Sequence, residues 1–155
     1  MWKRFVCLFA ILLVSSAAAA VPPAGPQLTV QLGDLEWTFT GTGAPVDIEW
    51  QNGALISFSW SGDASYYGGT IFGYRYGWDL ADPGDPLDPG WTTAGLEPDL
   101  LQSAPIFFME GQHVLSILVE DTGGLDTLAT FNLTLVPHVP VDDVSWSRLQ
   151  ALYRR

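Results

Sequence analysis

Residues 111–136, GQHVLSILVEDTGGLDTLATFNLTLV, decide the fold. In the first half His113, Leu115, Ile117, Val119 and Asp121 share one parity, and Val114, Ser116, Leu118 and Glu120 the other. In the second half Ala129, Phe131, Leu133 and Leu135 alternate with Thr130, Asn132 and Thr134. Successive side chains of a strand point to opposite faces, so each half lays an apolar row on one face. The intervening TGGLD supplies residues that tolerate positive φ, which a tight reversal needs. The stretch reads as an antiparallel hairpin with one buried side.

Upstream segments repeat this period. QLTVQL (27–32) alternates Leu28, Val30 and Leu32, and after Gly33-Asp34 the run LEWTFT (35–40) places Leu35, Trp37 and Phe39 on one side. GTGAP (41–45) breaks the pattern, VDIEW (46–50) resumes it, and Asn52-Gly53 is a two-residue hairpin signal. ALISFSWS (54–61) puts Ile56, Phe58 and Trp60 on the buried side. IFGYRYGWDL (71–80) groups Phe72, Tyr74, Tyr76 and Trp78 against Gly73, Arg75 and Gly77, and SAPIFFM (103–109) is a shorter run. About seven short strands separated by Gly, Pro and Asp turns predict an all-β, antiparallel two-sheet sandwich.

Residues 1–20 carry a basic start (Lys3, Arg4), an apolar run and a small-residue end, the pattern of a cleavable export signal cut after Ala20. The apolar stretch 5–21 falls short of the ~20 residues that span a bilayer. Cys7, the single cysteine, lies inside that stretch, so neither a disulfide nor a lipid attached at the cut site is expected. Residues 21–26, VPPAGP, read as a Pro-rich linker, 27–136 as the sandwich, and 137–155 as a tail. Ser145 is a candidate cap for a short helix there, with Trp146, Leu149 and Tyr153 at helical spacing, but at this length an isolated helix is marginal and a loosely ordered end is the plainer expectation. With the signal removed, four arginines face all 17 acidic residues. Such a charge repels nucleic acid and anionic lipid and favours cations and basic partners.

The order FSWSGD, GTIFGYRYGWD, Trp91, EGQHVLSILVEDTGG and TFNLTLV resembles the immunoglobulin-like or fibronectin type III-like domains of bacterial secreted and surface proteins. The resemblance covers residues 56–136. It implies a monomeric spacer, adhesion unit or ligand-binding appendage on the cell surface, in the periplasm or outside the cell, with a protein or glycan partner. These motifs are structural, so they carry the fold further than a biochemical role.

Three features bear on chemistry. In DLADPGDPLDPG (79–90), Asp79, Asp82, Asp85 and Asp88 recur at every third position, and the last three precede proline. Calcium takes six to eight oxygens, and with Asp63 and Asp121 from neighbouring loops the candidates for a calcium-stabilised adhesion domain are Asp63, Asp79, Asp82 and Asp121. If the prolines hold the loop in polyproline II, its carboxylates share one face but stand roughly 9 Å apart, too far for one ion; a stiff solvated loop is the plainer reading. The second feature is aromatic density. Parity assigns Tyr74, Tyr76 and Trp78 to the core, whereas Tyr66, Tyr67 and Trp91 are the candidates to stack on sugar rings in a carbohydrate-binding module. The third is the catalytic inventory: His113 and His138 are the only histidines after the signal, neither lies in a zinc-binding spacing, and no nucleophile elbow, P-loop or dinucleotide fingerprint is present. The chain is expected to be non-enzymatic and to need no cofactor other than that calcium.

Overall fold

The computed structural model describes residues 25–137. The expected export signal, residues 21–24 of the linker and the helix after Ser145 lie outside the described residues.

Seven strands form: β1 (Gln27–Leu32), β2 (Leu35–Thr40), β3 (Val46–Gln51), β4 (Ser59–Asp63), β5 (Ile71–Trp78), β6 (Gln112–Asp121) and β7 (Asp126–Val136). They make a three-stranded sheet ordered β2-β1-β4 and a four-stranded sheet ordered β3-β7-β6-β5. The chain is an all-β sandwich with an Ig-like arrangement. The decisive hairpin is β6–β7, with Leu115 opposite Phe131 and Ile117 opposite Ala129. Its apolar parity joins Leu28, Val30 and Trp60 from the other sheet, and Phe58 just ahead of β4, in one core cluster. Phe58, Phe131, Leu28, Ile56, Leu115, Ile117 and Leu133 are fully enclosed, and each contributes about 1.5–3 kcal/mol by leaving water.

The β6–β7 reversal is fixed by one carboxylate. Asp121 Oδ1 accepts the N–H groups of Gly123 and Leu125, both at 2.8 Å, and Gly124 takes φ 81°, a conformation open to glycine at little cost.

Four departures from the periodic reading have physical causes. β3 lies parallel to β7, with Val46 beside Phe131 and Gln51 beside Val136, so the sandwich is not wholly antiparallel. Asn52-Gly53 does form a turn, Ala54 N–H donating to Gln51 O at 3.2 Å, but it carries the chain from one sheet to the other instead of closing a hairpin. Ile56 bonds to Ile106, not to β3. A register shift between Ile71 and Gly73 moves Phe72 off the core face and leaves it 52% exposed. Lastly, the sandwich's buried contacts begin ahead of β1: Gly25 and Pro26 are buried, and Thr127 Oγ1 donates to Pro26 O.

The connection 79–111 closes one side of the sandwich. Its first part bonds along β5, Tyr74 and Glu97 exchanging N–H···O bonds at 3.0 and 2.9 Å and Thr92 N–H donating to Tyr76 O. Its second part bonds beside β4, where Trp60 N–H donates to Leu101 O and Ser103 N–H to Phe58 O. Both edges would otherwise present unpaired backbone groups to any passing strand.

Candidate functional site

The site is built on β5. Its sequence alternates Gly73, Arg75 and Gly77 on the side away from the core, and all three are buried. A Cβ at Gly77 would lie 2.6 Å from Gly90 O, and one at Gly73 3.0 Å from Glu97 N. Missing side chains at these positions let the 79–99 segment lie directly on the sheet.

That segment holds its own shape through a threefold Asp-Pro repeat. Asp82, Asp85 and Asp88 each accept the N–H two residues ahead, from Gly84, Leu87 and Gly90, at 2.8–2.9 Å. Each also accepts, through its backbone carbonyl, the N–H three residues ahead: Asp85, Asp88 and Trp91. Asp at the first position and Pro at the second is the composition of a type I turn. The loop is therefore a staircase of turns, not the polyproline II rod its composition suggested, because side-chain-to-backbone bonding outcompetes extension. Asp88 Oδ2 closes the staircase by accepting Asp82 N–H at 2.9 Å. The backbone N–H groups of Asp82 and Gly90 hold the Asp88 carboxyl below the ordinary carboxylate range.

Beneath the staircase lies Trp91, 7% exposed, its indole N–H donating to Asp85 O at 2.9 Å. Arg75 Cζ stands 4.1 Å from the Trp91 ring centroid, a cation–π contact, and Nη1 donates to Pro86 O at 3.1 Å. Arg75 is the single Lys or Arg among the described residues, is 9% exposed, and keeps its Nε without a hydrogen-bond partner. Burial lowers its pKa, and Glu120, Asp126 and Asp85 act in the opposite sense.

Beside it opens a cleft of about 310 Å³, lined by Thr42, Arg75, Pro83, Gly84, Pro86, Leu118, Glu120, Asp126 and Leu128. Leu118 and Leu128 make an apolar floor on β6 and β7, and the prolines of the staircase and Thr42 of the β2–β3 loop complete its lining. Sequence reading missed this site. Its available signal was the Gly-x-Arg-x-Gly spacing on β5, which marks close backbone approach around a buried cation.

The residues singled out from sequence fall elsewhere. Asp63 and Asp121 lie at the end of the sandwich where β5 begins, since Ile71 pairs with Asp121. Asp79 and Asp82 follow the far end of β5, roughly 20 Å away at ~3.3 Å per residue. The four carboxylates are not brought together, and among the described residues no group of three or more His, Cys, Asp or Glu is arranged to hold a metal. Each is bound locally: Asp63 Oδ1 accepts Ser65 N–H, Asp82 Oδ1 accepts Gly84 N–H, and Asp121 accepts Tyr67 Oη–H at 2.8 Å. Asp79 accepts Val114 N–H and pairs with His113 Nδ1 at 2.8 Å. His113 stacks on Phe108 with centroids 3.8 Å apart, a structural placement.

Among the aromatic candidates Trp91 presents no free face. Tyr66 is exposed and packs edge-on against Tyr67 at 4.7 Å. Its hydroxyl donates to Gly25 O. Tyr67 is half-buried, and burial together with its bond to Asp121 pushes its phenol up to about 12.

No family model matches the chain, and no curated protein does. Solved structures similar in shape include fibronectin(III)-like modules of Clostridium thermocellum CbhA, 14% identical over 70% of this chain and 97% of that one, with a TM-score of 0.39. Another is the PKD domain of an M14-like peptidase from a Thermoplasmatales archaeon, 15% identical over 71% of this chain and 95% of that one, with a TM-score of 0.36.

Proposed function

We propose that the chain is a non-enzymatic, exported Ig-like module that holds a partner or a neighbouring segment at a fixed distance, as a spacer with an interaction surface. The observation that carries this reading is where the chain meets the sandwich. Pro26 is held by Thr127 at the start of β7, and Pro137 follows Val136 at its end. The two points are separated by almost the whole of β7, roughly 30 Å at ~3.3 Å per residue. A domain entered at one end and left at the other passes the chain on in line. The turn carboxylates Asp63, Asp82, Asp85, Asp88 and Asp121 support the same reading, because they are engaged in holding loop shape. Export rests on the pattern of residues 1–20.

The test is a distance measurement in the full chain. With Cys7→Ser as background, spin labels at Gln27→Cys and Gln51→Cys, which sit at opposite ends, should give one narrow separation of roughly 30 Å. A broad distribution, or a separation that collapses in solution, defeats the spacer reading.

A further inference from the structure

We propose that the cleft between the Asp-Pro staircase and the outer face of β6–β7 is a docking site for a basic, extended segment of a partner protein, with one Lys or Arg side chain seated between Glu120 and Asp126. The inference rests on the module reading above and names the chemistry of its partner.

Glu120 and Asp126 are directly opposed across the β6–β7 ladder, which places their Cβ atoms about 5 Å apart. Like charges in that position weaken a ladder. Neither side chain accepts a hydrogen bond or closes an ion pair among the described residues, where the ion pair formed is His113–Asp79. Unlike Asp82, Asp85, Asp88 and Asp121, each satisfied by backbone N–H groups, these two open carboxylates face each other across one ladder position and line the cleft together. Arg75 lies near enough to both to feel them, yet it stays under Trp91 and Pro86 and does not reach across.

The remainder of the lining fits the same occupant. Leu118, Leu128, Pro83 and Pro86 offer apolar surface for the aliphatic stem of a Lys or Arg, whose head then reaches the carboxylates. About 310 Å³ is at the small end of ligand sites, enough for one long side chain and the backbone that bears it. Arg75, more than nine-tenths buried, already donates to one backbone carbonyl, Pro86 O, and keeps Nε unpaired. A basic peptide brings the cation that the acid pair lacks, which Arg75, held under Trp91 and Pro86, does not supply. Calcium fits less well, since two carboxylates fall short of six to eight ligands. The domain as a whole steers a basic partner inward, because of the chain's 17 acidic residues all but Asp142 and Asp143 lie in the described part, against Arg75 alone.

The experiment titrates the full chain, and a Glu120→Gln/Asp126→Asn variant, with a short synthetic peptide of alternating arginine and alanine. Backbone amide shifts map the contact. A second variant, Asp34→Asn/Glu49→Gln, removes the same charge at exposed positions outside the cleft. Binding is expected to shift Thr42, Leu118, Glu120, Asp126 and Leu128, to weaken by about tenfold in the cleft variant, and to change by roughly twofold or less in the control. Equal weakening in both variants overturns the proposal in favour of diffuse attraction. So does no binding by a folded sample, or a neutral oligosaccharide moving the cleft amides where the peptide does not. The spin-label distance is indifferent to all of these outcomes, so failure here and failure of the spacer reading are separable.

Discussion

Trp91 shows how much a single side chain carries in a loop-rich region. It is almost wholly enclosed, donates to Asp85 O and lies against Arg75, so the staircase and β5 share it as a common core. Truncating a buried aromatic removes its burial and leaves a cavity. Trp91→Ala should lower unfolding free energy by about 3–5 kcal/mol, read as a lower urea midpoint; a loss below about 1 kcal/mol would show that the staircase stands without it. At the other end of the sandwich, Tyr67 couples packing to pH. Its phenol is pushed up to about 12 by burial first and Asp121 second, so the folded state holds that proton more tightly than the unfolded chain does. The stability this contributes is fully present below pH ~10 and is lost as pH rises towards 12. A thermal midpoint that falls across this interval in the parent, and falls less in Tyr67→Phe, is the expected result; parallel curves would assign the loss to other groups.

Among elements, the strands were legible and the long connection was not. Residues 27–32 and 35–40 form strands at the expected bounds; β1 buries one full parity, whereas β2 buries only Phe39 and part of Trp37 and leaves Leu35, expected on the same side, 54% exposed. β5 obeys no such rule. Its core face is aromatic as expected from Tyr74 and Tyr76, but its other face is covered as well, and a strand enclosed on both sides loses alternation as a guide. The Asp-Pro repeat was visible, yet its geometry depended on whether each carboxylate would bond its own backbone, a choice that proline spacing alone does not make. The cleft was hidden for a related reason: it joins Thr42, Arg75, Pro83 and Glu120 from four separate parts of the chain, and only the strand order β3-β7-β6-β5 brings them together. Gly77 tests the account of this element. Its Cβ would meet the Gly90 backbone at 2.6 Å, where nothing flexible can yield. Gly77→Ala should cost about 1–3 kcal/mol and speed amide exchange at Thr92 and Glu97, whose N–H groups bond to β5. Unchanged exchange at both would mean that the connection does not depend on close approach.

Across the whole molecule, charge sets the working range. Arg75 is the lone Lys or Arg in a described domain rich in Asp and Glu, and a compact state with that imbalance repels itself. Salt screens such repulsion, with a Debye length of about 10 Å at 0.1 M and 3 Å at 1 M, so the thermal midpoint should rise as salt is added at neutral pH. Mild acid acts in the same direction by reducing the net negative charge. The turn carboxylates oppose it at lower pH. Bonds from Ser65 lower the pKa of Asp63; backbone N–H groups of Asp82 and Gly90 lower that of Asp88; and the N–H of Leu125, with further bonds from Tyr67 and Gly123, lowers that of Asp121. Groups shifted this way stabilise the fold above their unfolded values near 3.9, and that contribution is lost as pH falls through the depressed folded values. The two effects together predict a stability maximum between about pH 4 and 6, with a steep fall below it. Asp121→Asn should flatten the acid fall by removing the titrating group, while lowering stability at neutral pH because a neutral amide oxygen accepts more weakly from Gly123 and Leu125. Thermal midpoints across this range, at low and high salt, decide it. A profile that declines steadily from neutral pH downward would place the stabilising charge network elsewhere than in the turns.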